Sequence, residues 1–283
     1  MDCALYVVAT PIGNLRDISL RALDILSSVE TIAAEDTRNT AFLLTHYHIS
    51  ANRLLALHQH NEMGATEKVV ALLKQGQSVA LVTDAGTPAV SDPGAILVDA
   101  VLASGFRVVP IPGSSAAVAA LSASGLTTPH FLFFGFLPNK SAARRKVLES
   151  LIEHPYSLLF YEAPHRILEC VADLQAVYGD EREIVLAREL TKLFENIHRC
   201  KLGEAMTWLN SDPNNQRGEF VILIAGVDAV KSGMSVEVEK TLTLLLEALP
   251  LKQAVQLAVK ITGANKNELY QRALELKTVP THE

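Results

Sequence analysis

Short continuous apolar runs alternate with longer segments in which apolar positions recur every three or four residues over positions 1–115. The short runs predict buried strands, and the three-four spacing predicts helices with one apolar face. Strands are expected at 4–9, 31–35, 53–57, 78–83 and 107–111, and helices at 19–28, 38–46, 64–75, 94–104 and 114–124. Such alternation argues for parallel βαβ units. Ser19 is placed to cap a helix carrying Leu20, Leu23 and Leu26, and Gly105 sits where a helix-ending glycine belongs. Residues 126–130 read as a linker.

Beyond it, apolar runs predict strands at 131–135, 157–161, 183–187, 197–201 and 219–225, with helices at 141–152, 164–177 and 203–209. Fewer helices separate these strands, so a mixed sheet is expected. Residues 228–236 form a polar, small-residue break. The tail is helical at 237–248, 251–261 and 267–276, the last two flanking Gly263-Ala264-Asn265 as in a helix-turn-helix. Lys252, Lys260, Lys266, Arg272 and Lys277 give it a basic surface. The expected fold is α/β: an N-terminal domain at 1–115 with a mainly parallel sheet, a C-terminal domain at 116–228 with a mixed sheet, and a helical tail at 237–278.

A chain of 283 residues with 49% hydrophobic content is long and apolar enough for two such cores. The net charge of −6 does not advertise nucleic-acid binding, so any polyanion must meet a local basic patch. Cys3, Cys170 and Cys200 are scattered, which argues against a disulfide framework or a metal-type spacing. The first residues lead straight into a strand without a signal-peptide pattern, and no apolar stretch reaches membrane-span length. A cytoplasmic protein is expected.

Three loops carry the chemistry. Thr10-Pro11-Ile12-Gly13-Asn14, Asp84-Ala85-Gly86-Thr87-Pro88 and Pro112-Gly113-Ser114-Ser115-Ala116 each follow a predicted strand. Ligands of open α/β sheets bind outside the carboxyl ends of the strands, where glycine admits close backbone approach. The first loop lacks both the dinucleotide fingerprint and the Walker pattern, which leaves NAD and ATP poorly supported. Asp84 suits ribose hydroxyls or a nearby cation, or serves as the N-cap or Asx-turn aspartate common at such positions. Asp92-Pro93-Gly94 reads as a structural helix cap. The segment opening at Ser114 offers N–H groups to an anion, or is simply capped by that serine.

Glu35-Asp36-Thr37-Arg38 is dense in charge for a turn, with Asp36 equally readable as a cap. His46-Tyr47-His48 and His58-Gln59-His60 have the spacing that would put both histidines on one face of a strand, yet nothing beside them supports a metal. Lys140, Arg144, Arg145 and Lys146 form the one concentrated basic run, suited to phosphates or to a solvated helix face. Glu162-Ala163-Pro164-His165-Arg166, the Arg188–Glu195 segment and Arg217-Gly218-Glu219 cluster charge at strand ends, as clefts do and as ion pairs do.

Together, Ala9–Leu15, Glu35–Arg38, Asp84–Pro88, Pro112–Ala116 and Glu162–Arg166 resemble the tetrapyrrole (corrin/porphyrin) methylase superfamily. Glu35–Arg38, Phe136–Lys140 and the helical tail resemble its ribosomal branch, the small-subunit rRNA cytidine 2′-O-methyltransferases. The resemblance implies S-adenosyl-L-methionine in a cleft between two α/β domains, a homodimer, and 16S rRNA of the small subunit as substrate. It implies that Pro11, Asp84, Ala85, Gly86, Thr87, Ser115 and Ala116 line the cofactor site, with Tyr161, Glu162, Leu190 and Glu219 contributing from the second domain.

Methyl transfer to a ribose hydroxyl is an in-line displacement that needs positioning and a base. Glu35, Asp36, His60, Glu62, Lys140 and Glu162 are candidate bases. The Asp36/Arg38 and His60/Glu62 neighbourhoods are expected to orient substrate. Lys140, Arg144 and Arg145 are expected on RNA phosphates, with Lys252 and Lys266 on RNA from the tail. No metal is required. A small-tetrapyrrole methylase, a diphthamide-type protein methylase and a non-catalytic ribosome-assembly factor stand as alternatives, and the basic run and the tail count against a small ring as substrate.

Overall fold

The computed structural model describes residues 3–227 and 236–278, so the break expected at 228–236 lies, Val236 apart, outside the described residues. The first half contains β1 (Ala4–Val8), α1 (Leu20–Ser28), β2 (Thr31–Ala34), α2 (Thr37–His46), β3 (Leu54–Ala56), α3 (Glu62–Lys74), β4 (Val79–Val82), α4 (Ala95–Ala103) and β5 (Arg107–Ile111). The strands pair in the order β3-β2-β4-β1-β5, all parallel. Both faces of this sheet are buried, which is why its strands read as unbroken apolar runs. Leu26, Ile32 and Leu44 belong to the core on one side, and Leu57, Val69, Leu97 and Val101 to that on the other.

The second half contains α5 (Ala116–Ala123), β6 (Phe131–Phe136), α6 (Ser141–Leu151), β7 (Ser157–Glu162), α7 (Ile167–Tyr178), β8 (Glu183–Arg188), β9 (Asn196–Lys201), α8 (Leu202–Ser211) and β10 (Phe220–Ile224). The order is β6-β7-β10-β8-β9, with β6 and β7 parallel and the other pairs antiparallel. The mixed sheet is therefore as expected. Ala117 and Ala120 of α5 pack on this second sheet against Leu159, Val185 and Leu223.

The chain divides into two compact units, residues 1–149 with 157–225, and residues 150–156 with 226–283. Both sheets lie in the first. The second carries α9 (Val236–Ala248), α10 (Leu251–Thr262) and α11 (Lys266–Thr278). Leu242, Val255, Ala258, Leu269 and Ala273 form its core. The left-handed Gly263 ends α10, as the glycine in the predicted turn requires. Among the described residues, no helix is long and apolar enough to cross a membrane.

Candidate active site

Adjacency of β4, β1 and β5 brings the three glycine-bearing loops side by side at the carboxyl end of the parallel sheet. Thr10 and Gly86 exchange backbone hydrogen bonds of 2.9 and 3.0 Å, knitting the first loop to the second. The Thr87 hydroxyl donates to the Ser114 carbonyl at 3.1 Å, knitting the second to the third. Gly86 has φ +92°, a conformation that a side chain strains, so the turn depends on glycine there.

The second sheet presents the opposite wall. Because β10 runs antiparallel to β7 and β8, its first residue Phe220 pairs with both Glu162 and Arg188, their last residues. Tyr161 and Glu162, Leu190, and Glu219 therefore meet at one sheet edge. Between the walls is a cavity of about 400 Å³. Asp84, Ala85, Gly86, Thr87, Ser115 and Ala116 line it from the first wall, and Tyr161, Glu162, Leu190 and Glu219 from the second. Of the residues expected at a cofactor site, Pro11 alone lies elsewhere, lining a neighbouring cavity of about 210 Å³ with Thr10, Asn39 and Phe42, while Ile12 faces the main one.

Electrostatics differ from residue to residue. Glu162 is buried, with its Oε1 accepting from Ala163 N–H at 2.8 Å and lying 3.1 Å from the Arg166 guanidinium. Its Oε2 has only the Cys170 thiol, a weak donor, beside it. Ser115 begins α5 without a side-chain cap, and the Tyr161 hydroxyl accepts from Ala117 N–H at 3.2 Å. Burial raises the Tyr161 phenol, and the Asp92 charge adds to it. Asp84 accepts from the Asp36 N–H and the Asn39 amide, at 3.2 and 2.9 Å. Burial raises it nonetheless, with Glu35 adding to the effect.

Several expectations need correction. Asp92 does not cap α4. Gly94, at φ +130°, takes the cap position, and the Glu62 carboxylate supplies the acceptor, at 2.8 Å from Gly94 N and 3.3 Å from Ile96 N. Glu62 thus serves as a cap from a distance, and Asp92 is freed to face the cavity. Burial, then the charges of Glu35 and Asp84, push Asp92 up to about 6. Asp36 caps α2 as one reading allowed, but its pair with the largely exposed Arg38 holds it to about 2, and neither residue lines any of the cavities described. A carboxylate that acidic is a poor base near neutrality.

Arg144 is fully buried, its guanidinium bound to Asp173 at 2.7 Å, so it does not reach a phosphate. Arg145 is half exposed and shares the same aspartate at 2.6 Å. Lys140 is exposed and lines none of these cavities, and Lys252 and Lys266 are exposed on the helical unit. His46 ends a helix and His48 adopts φ +55°, so that pair has no strand spacing. His58 and His60 follow β3 in a turn and line a third cavity, of about 410 Å³, with Gln59 and Glu62. Glu35, Ser91 and Asp92 line both that cavity and the main one.

Residues 4–206 match the family of Tetrapyrrole (Corrin/Porphyrin) Methylases. The chain belongs to this family. Residues 232–277 match the RsmI C-terminal HTH domain, in line with the helix-turn-helix reading of the tail. The chain is similar to the Ribosomal RNA small subunit methyltransferase I of Pseudomonas aeruginosa, 52% identical over 273 residues that cover 96% of each chain. It is 49% identical to the protein of that name from Escherichia coli O157:H7, over 96% of this chain and 94% of the relative. Among solved structures, a cobalt precorrin-4 methyltransferase superposes with a TM-score of 0.58 at 17% identity, over 79% of this chain and 95% of that one. A uroporphyrin-III C-methyl transferase from Thermus thermophilus, complexed with S-adenosyl homocysteine, gives 0.53 at 16%, over 78% and 97%. These two likenesses show the shared fold.

Proposed function

We infer that this chain is a methyltransferase that uses S-adenosyl-L-methionine to methylate the 2′-hydroxyl of a cytidine ribose in the 16S rRNA of the small ribosomal subunit. The observation that supports it most is identity near 50% over nearly the whole length of relatives named for methylating small-subunit ribosomal RNA. The main cavity is consistent with the co-substrate. Its volume falls within the range of small-molecule sites. Leu190, Phe220 and Val221 offer apolar surface for a flat base, and Asp84 and the α5 N-terminus offer polar partners for a ribose and a carboxylate.

When bound, the co-substrate supplies an electrophilic methyl group on a sulfonium. The chain itself must hold both reactants in line and remove a proton from a weakly acidic hydroxyl. The protein acts as a homodimer in the cytoplasm, on rRNA already folded into the subunit. The exposed Lys140, Arg145, Lys252 and Lys266 meet RNA phosphates, which reconciles RNA binding with the net charge of −6.

The test uses small subunits from cells lacking this protein, incubated with the purified chain and methyl-labelled co-substrate, beside naked rRNA. Label on one ribose, mapped by resistance to alkaline cleavage, supports the reading. Labelling of naked rRNA alone overturns the subunit context. Absence of label on any RNA, with the co-substrate still bound, overturns the RNA assignment.

A further inference from the structure

The cofactor cavity and the third cavity share a wall made of Glu35, Ser91 and Asp92. On one side of Asp92 is the site assigned to the co-substrate. On the other is a polar opening lined by His58, Gln59 and His60. An acceptor entering through that opening meets the Asp92 carboxylate at the boundary where a methyl group would change hands.

The wall is built unusually. The Thr83 hydroxyl donates to Glu35 Oε2 at 2.5 Å and also bonds Asp92. A hydroxyl carries one proton, so it can donate to one of these carboxylates only. With the hydroxyl turned to Glu35, Asp92 faces a like charge without that donor, and a proton is accommodated there readily. Ser91 and Ala89, on the same strap, adopt φ +65° and +67°. Non-glycine residues held in this region cluster at functional sites.

The other acidic groups near this wall are committed. Both oxygens of Asp84 accept hydrogen bonds, from Asp36 N–H and from Asn39. Glu62 Oε1 caps α4. Glu35 Oε2 holds Thr83 and lies 3.3 Å from Asp84 N. The Tyr161 hydroxyl accepts from Ala117 N–H.

We propose that Asp92 is the group that takes the proton from the target ribose hydroxyl, and that the opening lined by His58, Gln59 and His60 admits the acceptor nucleotide. This rests on the rRNA methyltransferase reading. As the O–H bond gives its proton to the Asp92 carboxylate, the freed oxygen pair forms the O–C bond to the methyl group. The C–S bond breaks with its electron pair remaining on sulfur. Asp92 then releases the proton to solvent, so one hydroxyl and one sulfonium become an ether, a neutral thioether and a proton. Glu35 and Asp84 raise Asp92 and the Thr83 hydrogen bond lowers it, while Tyr161 lines the cofactor side and His58, His60 and Glu62 line the acceptor side.

The test measures single-turnover methylation of small subunits against pH for the wild type, Asp92→Asn and Asp92→Glu. It also measures S-adenosyl homocysteine affinity and a carboxyl 13C titration of the protein alone, in which the Asp92 resonance is the one missing from Asp92→Asn. The expected result is a wild-type rate that rises with pH through a midpoint near 6, matching the Asp92 resonance. Asp92→Asn should lose at least about 100-fold in rate together with that acidic limb, with S-adenosyl homocysteine affinity retained. Asp92→Glu should recover part of the rate with a displaced limb. An Asp92→Asn rate close to wild type, or an unchanged acidic limb in that variant, overturns the proposal. So does an Asp92 resonance that titrates as an ordinary carboxylate. A wild type that labels no RNA overturns the rRNA reading, and the proposal with it.

Discussion

The Thr83 hydroxyl lies 2.5 Å from Glu35 Oε2 and ties the end of β4 to the end of β2, in reach of Asp92. Two carboxylates therefore depend on one hydroxyl, and removing either neighbour of Asp92 should move its titration in opposite directions. Burial is the larger cause of its raised value and survives both changes. Glu35→Gln removes a like charge, so the acidic limb of the pH–rate profile should shift to lower pH. Thr83→Val removes a stabilising hydrogen bond, so the limb should shift to higher pH. Paired pH–rate profiles of the two variants check this, and shifts of the same sign would contradict the bridge.

Asp92 should also burden the fold. Its folded value of about 6 lies above the 3.8 of an ordinary aspartate, so the native state binds the proton more tightly than the unfolded chain. The charged form therefore destabilises the protein above about pH 6, and the penalty fades as pH falls toward 3.8. The full difference is about 3 kcal/mol, and screening of a half-exposed group reduces it to about 1 kcal/mol. Asp92→Asn should then raise Tm by about 2–3 °C near pH 7.5. The gain should vanish below about pH 4. Calorimetry at the two pH values checks the sign.

Glu62 was read from the sequence as a candidate base, and its geometry says that it is a cap. The two roles separate by substitution. Glu62→Ala leaves the first turn of α4 without its acceptor and should cost about 1 kcal/mol. Glu62→Gln keeps an acceptor oxygen and should recover most of that stability. Denaturant midpoints of both variants measure it. If Glu62 moved protons, the glutamine variant would fail in turnover as badly as the alanine one.

The path from sequence to site was short where backbone made the site. Strand-loop spacing located Asp84–Thr87 and Ser115-Ala116, because a buried parallel strand ending in a glycine turn leaves a continuous apolar run followed by a small-residue loop. Tyr161, Glu162, Leu190 and Glu219 came from the resemblance, and the antiparallel course of β10 explains why residues so far apart in sequence share an edge. Asp92 was misread because Asp-Pro-Gly is also the local signature of a helix start. The cap that displaced it comes from Glu62, 32 residues before the Gly94 amide it binds, and such a long-range hydrogen bond leaves no local pattern. Arg144 was misread for a related reason. Its neighbours in sequence are exposed, and only the packing of α6 on α7 turns it inward toward Asp173.

That inward turn gives the last prediction. Asp173 is buried and bound by Ser141 at 2.9 Å, Arg144 at 2.7 Å and Arg145 at 2.6 Å. Burial alone would raise its carboxyl, but the hydrogen bonds from Arg145, Ser141 and Arg144 outweigh it and hold it below the usual range. Because the folded value is depressed, the stability it contributes is present above the ordinary carboxylate pKa and lost as pH falls through the folded one. Arg144 also donates to the Pro138 and Asn139 carbonyls, so it ties the segment after β6 to α7. Arg144→Ala would leave Asp173 and those carbonyls short of a partner and should cost about 3–5 kcal/mol. Arg145→Ala, at a half-exposed site, should cost about 1 kcal/mol or less and act instead on RNA affinity. Denaturant unfolding of both variants, beside subunit binding at two salt concentrations, separates the roles. Equal losses of stability would mean that the buried arginine is not the keystone of this cluster. A weakened salt dependence in Arg144→Ala at full stability would return it to the RNA surface.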